Sequence, residues 1–309
     1  MSRCFVTREL PGGALDRLRA EHEVDVWTER LPPSRAELLE HTAQAEGLLS
    51  MLTDRIDADL LVACPELKAI ANYAVGYDNI DLIAAQMRGV QVGNTPDVLT
   101  DATADLAFAL LMGAARRLPE AAAAVAAGDW LTWEPAAFLG QDVHGATLGI
   151  VGMGRIGRAV AQRASGFAME VIHTGHNRDG LSLSELLERS DFVSLHCPLT
   201  PETQHMIDAA ALARMKPTAI LINTARGPIV DQAALARALH EGTIAGAALD
   251  VTDPEPPHHE DPLLSAPNLI VVPHIGSATH SARARMADIA VDNLLFALAG
   301  DEMPHGVSV

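Results

Sequence analysis

The chain has 309 residues, 49% of them hydrophobic and only 4% aromatic, which is more than one core usually organises, so two domains of about 100–200 residues are expected. Its 40 acidic against 22 basic side chains give a formal charge of −18, which repels a nucleic-acid backbone and an anionic membrane surface and excludes both as partners. No apolar run approaches the ~20 residues of a membrane span, and residues 1–13 lack the apolar stretch of a signal peptide.

Short apolar runs at 4–7, 24–27, 47–52, 69–73 and 90–93 alternate with helix-like stretches, the pattern of strand, crossover helix and parallel strand. Residues 100–127 are rich in Ala and Leu and predict a long linking helix, broken near Pro119. A second series follows, with runs at 147–151, 170–174, 192–196, 219–223, 245–249 and 269–272. In the closing stretch 278–299, Met286, Ile289, Ala290, Leu294 and Ala297 recur near helical spacing and predict a helix that returns the chain to the first domain. The expected fold is α/β, with two doubly wound, Rossmann-like domains built on parallel sheets: a discontinuous one of residues 1–99 plus 284–309, and one of residues 100–283. Cys4, Cys64 and Cys197, odd in number and far apart, read as free thiols of a reducing compartment, so a cytoplasmic location is expected.

The run ending at Val151 enters Gly152, Met153, Gly154, Arg155, Ile156 and Gly157, followed by a helical stretch. The first glycine permits a tight turn, the second lets a pyrophosphate approach the backbone, and the third lets helix pack on strand. A lone glycine triplet is weak evidence, but this one sits between strand and helix inside an α/β series. The next strand leads into Gly175, His176, Asn177 and Arg178, with no carboxylate where an NAD-selecting acid meets the ribose. Gly175 leaves room for a 2′-phosphate and Arg178 can hydrogen-bond it, so NADP(H) is the expected cofactor, with NAD(H) the weaker option.

Reducing a ketone by hydride needs a proton donor to the developing alkoxide and a cation to hold the neighbouring carboxylate. Histidine suits the first task, especially with a carboxylate on its other nitrogen, and the guanidinium fork suits the second. Ligands in such sheets bind beyond the carboxyl ends of the strands. Arg226 follows one such end, Asp250, Asp253 and Glu255 follow the next, and His274 follows the last.

At these places the sequence resembles the D-isomer-specific 2-hydroxyacid dehydrogenase family, most closely its glyoxylate/hydroxypyruvate reductase branch. Besides the glycine turn, the likeness is carried by Asn72-Tyr73-Ala74-Val75-Gly76-Tyr77-Asp78-Asn79-Ile80-Asp81 and Thr100-Asp101-Ala102-Thr103-Ala104-Asp105. It continues in His196-Cys197-Pro198-Leu199-Thr200, Asn223-Thr224-Ala225-Arg226-Gly227 and Pro273-His274-Ile275-Gly276-Ser277-Ala278-Thr279. The resemblance implies that Arg226 binds the substrate carboxylate, that His274 is the acid/base and that Glu255, rather than Asp253, is its partner. It implies that Asp250 touches the nicotinamide carboxamide and that Val75 and Gly76 offer backbone N–H groups to the carboxylate. Thr103, Gly154, Arg155, Ile156, Cys197, Pro198, Thr203 and Ala225 match cofactor-contact positions of the family, and Thr224 and Gly276 beside them are candidates too. Leu52 and Trp133 are candidate pocket residues, and Trp133 resembles the tryptophan that reaches a partner's substrate pocket, which implies a homodimer through 100–146. The first domain is then the substrate-binding lid, the second the dinucleotide-binding domain, and the active site lies in the cleft between them.

The expected activity is reduction of glyoxylate or hydroxypyruvate to glycolate or D-glycerate. Rival substrates are 3-phosphoglycerate, D-lactate, a bulkier 2-oxo acid or phosphite; an end at Val309 leaves no room for a regulatory domain of the kind found in many phosphoglycerate dehydrogenases. A non-catalytic, cofactor-sensing binding protein is a rival of another class, weighed down by the presence of Arg226, Glu255 and His274 together and by the negative charge. His258, His259, Glu260 and Asp261 invite a metal reading, but adjacent loop histidines do not converge on one ion, and no metal is expected. His196 and Cys197 resemble a nucleophile pair, yet read better as backbone lining the cofactor beside a small packed thiol.

Overall fold

The computed structural model of the chain describes residues 1–175 and 180–308. They form two compact units, Met1–Leu99 with Ala278–Val309, and Thr100–Ser277.

The first unit runs β1 (Arg3–Val6), α1 (Ala14–Glu21), β2 (Glu23–Val26), α2 (Arg35–Thr42), β3 (Gly47–Ser50), α3 (Ala58–Ala63), β4 (Ala69–Asn72), α4 (Leu82–Met87) and β5 (Gln91–Gly93). The second runs α5 (Thr100–Ala115), α6 (Leu118–Ala127), β6 (Thr147–Val151), α7 (Arg155–Ser165), β7 (Glu170–Thr174), α8 (Leu183–Arg189), β8 (Phe192–Leu195), α9 (Ala209–Leu212), β9 (Ile220–Asn223), α10 (Gln232–His240), β10 (Gly246–Leu249) and β11 (Leu269–Val271). The chain then returns to the first unit through α11 (His280–Ala299) and β12 (Gly306–Val307).

Each unit holds a six-stranded sheet, ordered β12-β5-β4-β3-β1-β2 in the first and β11-β10-β9-β8-β6-β7 in the second. All pairings are parallel except β12 against β5. Strands such as β3, β8 and β9 are buried along their whole length, as expected where helices cover both faces. In the first unit, Leu15 and Leu18 of α1 and Val291 and Leu294 of α11 cover one face; Leu38, Leu60 and Leu61 of α2 and α3 cover the other. In the second unit, α5 and α7 cover one face through Ala104, Leu111 and Val160, and α8 to α10 cover the other through Leu186, Leu212 and Leu235.

The acidic surplus has a local use, because Asp57, Asp81, Asp208 and Asp231 each cap the helix that follows by accepting a backbone N–H. Ser34 with Glu37 and Ser182 with Glu185 form capping boxes on α2 and α8. The linking helix breaks slightly upstream of Pro119: α5 ends at Ala115, Arg117 takes a left-handed φ of 52°, and the proline falls in the first turn of α6. Proline lacks an N–H that the first turn leaves unpaired anyway, so it starts a helix there rather than interrupting one. No helix among the described residues is long and apolar enough to cross a membrane.

Candidate active site

In the second unit the chain leaves β6 for β7 on one side and then adds β8 on the other, so a topological switch point lies between β6 and β8. The glycine turn sits there. Gly152 has φ 95°, and a Cβ on it would lie 2.7 Å from the Cys197 backbone nitrogen; one on Gly157 would lie 2.2 Å from the Gly152 carbonyl oxygen. A Cβ on Gly154, by contrast, would meet nothing within 4 Å. That open backbone, at the start of an α7 with no side-chain cap, fits the pyrophosphate of a dinucleotide. Arg155 and Ile156 open the same helix. Across the switch point, the loop after β8 is tied by Thr203 Oγ1, which accepts from the Thr200 N–H (2.8 Å) and donates to the Pro198 carbonyl (2.7 Å). Gly175 follows β7 with no carboxylate at Thr174 or Gly175; His176, Asn177 and Arg178 lie outside the described residues.

The carboxyl ends of β9, β10 and β11 carry the chemistry. Past β9, the Asn223 side chain accepts from the Ala225 N–H (3.0 Å) and donates to the Arg226 carbonyl (2.9 Å), closing the turn that presents Arg226. A Cβ on Gly227 would fall 1.9 Å from the Thr252 carbonyl oxygen, so only glycine lets the Arg226 turn lie against the loop that follows β10. That loop is held by Gln232 of α10, whose Oε1 accepts from the Asp253 N–H (2.9 Å) and whose Nε2 donates to Asp261 (2.7 Å). Past β11, His274 adopts φ 51°, an uncommon conformation for a residue with a side chain, and its N–H bonds the Asp250 carbonyl at 2.9 Å. His274 Nδ1 then meets Glu255 Oε1 at 2.5 Å, with the two side chains 23% and 32% exposed. Of the two acids left open by local reading, Glu255 is the one that reaches the histidine.

Asp250 does structural work that sequence reading missed. Its carboxylate oxygens accept the Ile275 N–H (2.6 Å) and the Gly276 N–H (2.8 Å), so it clamps the backbone on the far side of His274. Burial pushes its carboxyl above the ordinary value, against the pull of those two donors. Thr103 of α5 is buried beside Gly276: a Cβ there would lie 3.3 Å from its Oγ1. His196, whose Nε2 meets Ser194 Oγ at 2.8 Å, is lowered to about 4 by burial, and burial raises Cys197 to about 11. A neutral imidazole beside a protonated thiol is no nucleophile pair near neutral pH. His196 Nδ1 also lies 3.4 Å from Oγ1 of the buried Thr224, next to Ala225 and Arg226.

In the first unit, Leu52 is half-buried in a turn fixed by Asp54, whose carboxylate accepts the Met51 N–H (2.7 Å) and the Thr7 hydroxyl (2.5 Å). Val75 and Gly76 follow β4, also half-buried. Tyr73 is part of the fold, since its hydroxyl donates to the Arg283 carbonyl at 2.7 Å and burial pushes it up to about 12. In the second unit, Trp133 is 79% exposed in the segment after α6. Among the described residues no three His, Cys, Asp or Glu side chains gather as metal ligands would.

A glycine turn at a switch point, with a carboxylate-bound histidine and an arginine at the neighbouring strand ends, defines a nicotinamide-dependent oxidoreductase of the doubly wound class. The sequence pattern of the "D-isomer specific 2-hydroxyacid dehydrogenase, NAD binding domain" matches residues 108–276. A glyoxylate reductase of Korarchaeum cryptofilum is 50% identical, over 99% of this chain and 96% of its own. The TT0316 protein of Thermus thermophilus superposes with a TM-score of 0.94 at 50% identity, covering 99% of both chains. An NADPH-dependent glyoxylate/hydroxypyruvate reductase of Sinorhizobium meliloti, solved with NADP and malonate, gives 0.86 at 34% identity over 99% of this chain and 96% of its own. The chain belongs to the D-isomer-specific 2-hydroxyacid dehydrogenase family, in its glyoxylate reductase branch, and is an NAD(P)-dependent enzyme.

Proposed function

We propose that the protein reduces glyoxylate to glycolate, and hydroxypyruvate to D-glycerate, with NADPH preferred over NADH. The observation that carries the reading is the 2.5 Å contact of His274 Nδ1 with Glu255, placed at strand ends beside Arg226. An ionised carboxylate only accepts, so Nδ1 carries its hydrogen and Nε2 is left as the nitrogen that gives a proton to the substrate oxygen. Arg226 holds the substrate carboxylate in two-point geometry. The cofactor, when bound along the Gly154 backbone, supplies the hydride. Asp250 keeps the Ile275–Gly276 backbone, and with it the His274 ring, in a fixed place while the proton moves.

The cofactor preference rests on the missing acid at Thr174 and Gly175 and on Arg178 close behind in sequence. A homodimer is supported by α6, which has no buried residue, and by Trp130, Leu131, Trp133 and Leu139 nearby, each at least 68% exposed. Three free cysteines suit a reducing cytoplasm.

Steady-state rates with glyoxylate, hydroxypyruvate, pyruvate and phenylpyruvate, each with NADH and NADPH, test the reading. The highest kcat/KM is expected for glyoxylate with NADPH. Failure of every pair to oxidise cofactor refutes the reductase, and a preference for phenylpyruvate assigns a bulkier substrate. Arg178→Ala is expected to raise KM for NADPH far more than for NADH; equal effects return Arg178 to the solvent. Sedimentation of the wild type is expected to show a dimer.

A further inference from the structure

In the first unit, three consecutive peptide groups after β4 are each held by their carbonyl side. The Ala74 carbonyl accepts from the Thr95 N–H at 2.9 Å, the Val75 carbonyl from Asn94 Nδ2 at 2.7 Å, and the Gly76 carbonyl from Asn72 Nδ2 at 2.9 Å. In a trans peptide the C=O of one residue and the N–H of the next point in opposite directions. Anchoring these three oxygens therefore aims the N–H groups of Val75, Gly76 and Tyr77 away from Asn72, Asn94 and Thr95. None of the three has a partner among the described residues. Three successive N–H groups on a half-buried to exposed turn are thus held facing one way.

The anchors are themselves fixed. Asn72 is fully buried at the end of β4, and its Oδ1 accepts from Ser50 Oγ at 3.2 Å while its amide also reaches Asn79 Oδ1 at 3.1 Å. Asn94 is 8% exposed, and its own carbonyl accepts from Nδ2 of the fully buried Asn293 of α11 at 3.0 Å. Burying three asparagine side chains costs several kcal/mol unless they are hydrogen-bonded, and here each bond ends on backbone or on a neighbouring polar side chain.

We propose that Asn94 and Asn72 are positioning residues that set Val75, Gly76 and Tyr77 as a preformed nest of N–H donors for the substrate carboxylate. The inference rests on the proposed 2-oxo acid chemistry and deepens it by adding the Tyr77 N–H and two asparagines to the recognition of one anionic group. Successive backbone N–H groups form anion-binding concavities, and a nest fixed in advance binds without the entropy of ordering a loop. Neither asparagine touches the reacting atoms.

The test is Asn94→Ala, which removes the single side-chain hold on the Val75 carbonyl. KM for glyoxylate and Kd for oxalate, titrated calorimetrically into the NADP⁺-loaded protein, are expected to rise about tenfold, with kcat within about twofold and NADPH affinity unchanged. Leu38→Ala, in the same unit but remote from the nest, controls for lost stability and is expected to leave both constants alone. If Asn94→Ala does not fold, Asn94→Ser, which keeps a short donor, is expected to give a smaller rise in the same two constants. A wild type that reduces glyoxylate while the folded Asn94 variant matches it in KM and in oxalate Kd overturns the positioning role alone. A wild type that neither reduces glyoxylate nor binds oxalate overturns the carboxylate reading and the nest with it.

Discussion

Replacing Glu255 by Gln keeps the shape of the His274 partner and removes its charge. The contact is short, 2.5 Å from Nδ1 to Oε1, and belongs to the charge-assisted class worth about 1.5–3 kcal/mol. Side-chain exposures of 23% and 32% let water screen part of that, which puts the expected loss near about 2 kcal/mol. At about 1.4 kcal/mol per factor of ten, kcat/KM for glyoxylate falls roughly 30-fold. Because the bond fixes the tautomer and the orientation of the proton donor during the transfer, kcat falls with it, while KM and NADPH affinity stay near their wild-type values. Stopped-flow and steady-state rates at a fixed pH measure the loss. A loss under threefold would falsify the pairing as a catalytic device.

The glycine turn predicts a contrast between neighbours. Gly154→Ala adds a methyl to open space, so thermal stability stays within about 0.5 kcal/mol while NADPH binding weakens about tenfold or more; Gly157→Ala forces a Cβ against the Gly152 carbonyl and lowers stability by about 2 kcal/mol. Calorimetry and cofactor titration on both variants check this. Burial holds His196 neutral in the folded chain down to about pH 4, whereas the unfolded chain takes up its proton near the ordinary histidine value of 6.5. Its contribution is therefore complete above pH 6.5 and lost as pH falls toward 4, by up to about 3 kcal/mol, and urea unfolding at pH 7.5 and 4.5 should show a smaller loss in His196→Gln than in the wild type. Asp250→Asn turns an amide hydrogen toward the Ile275 or Gly276 N–H, so a drop of about 1–3 kcal/mol in unfolding free energy is expected together with a lower kcat. Full stability with full turnover in that variant would refute the clamp.

The strands were legible because both sheets are buried on both faces, which turns each strand into a short unbroken apolar run between helices. Two-residue β12 had no such run: Gly306 and Val307 are a strand only because β5 offers them an edge. The glycine turn was legible because each glycine answers a contact its own spacing predicts, Gly157 against Gly152 above all. Glu255 was not separable from Asp253 by local pattern, since the choice depends on Gln232, more than twenty residues upstream, taking the Asp253 N–H. The Asp250 clamp escaped for a related reason, as its partners are backbone N–H groups that carry no side-chain signature. Asn72 lay inside a motif that resembled the family, yet its role depends on which carbonyl it reaches, and a sequence does not show that.

The central claim is that His274 delivers the proton, and His274→Asn tests it most directly. The variant keeps a polar side chain at the site but has no titratable nitrogen to give. With saturating NADPH and glyoxylate, and with cofactor affinity confirmed equal to the wild type, kcat is expected to fall by roughly 10²–10⁴. Turnover within about threefold of the wild type would contradict the account and require another proton donor.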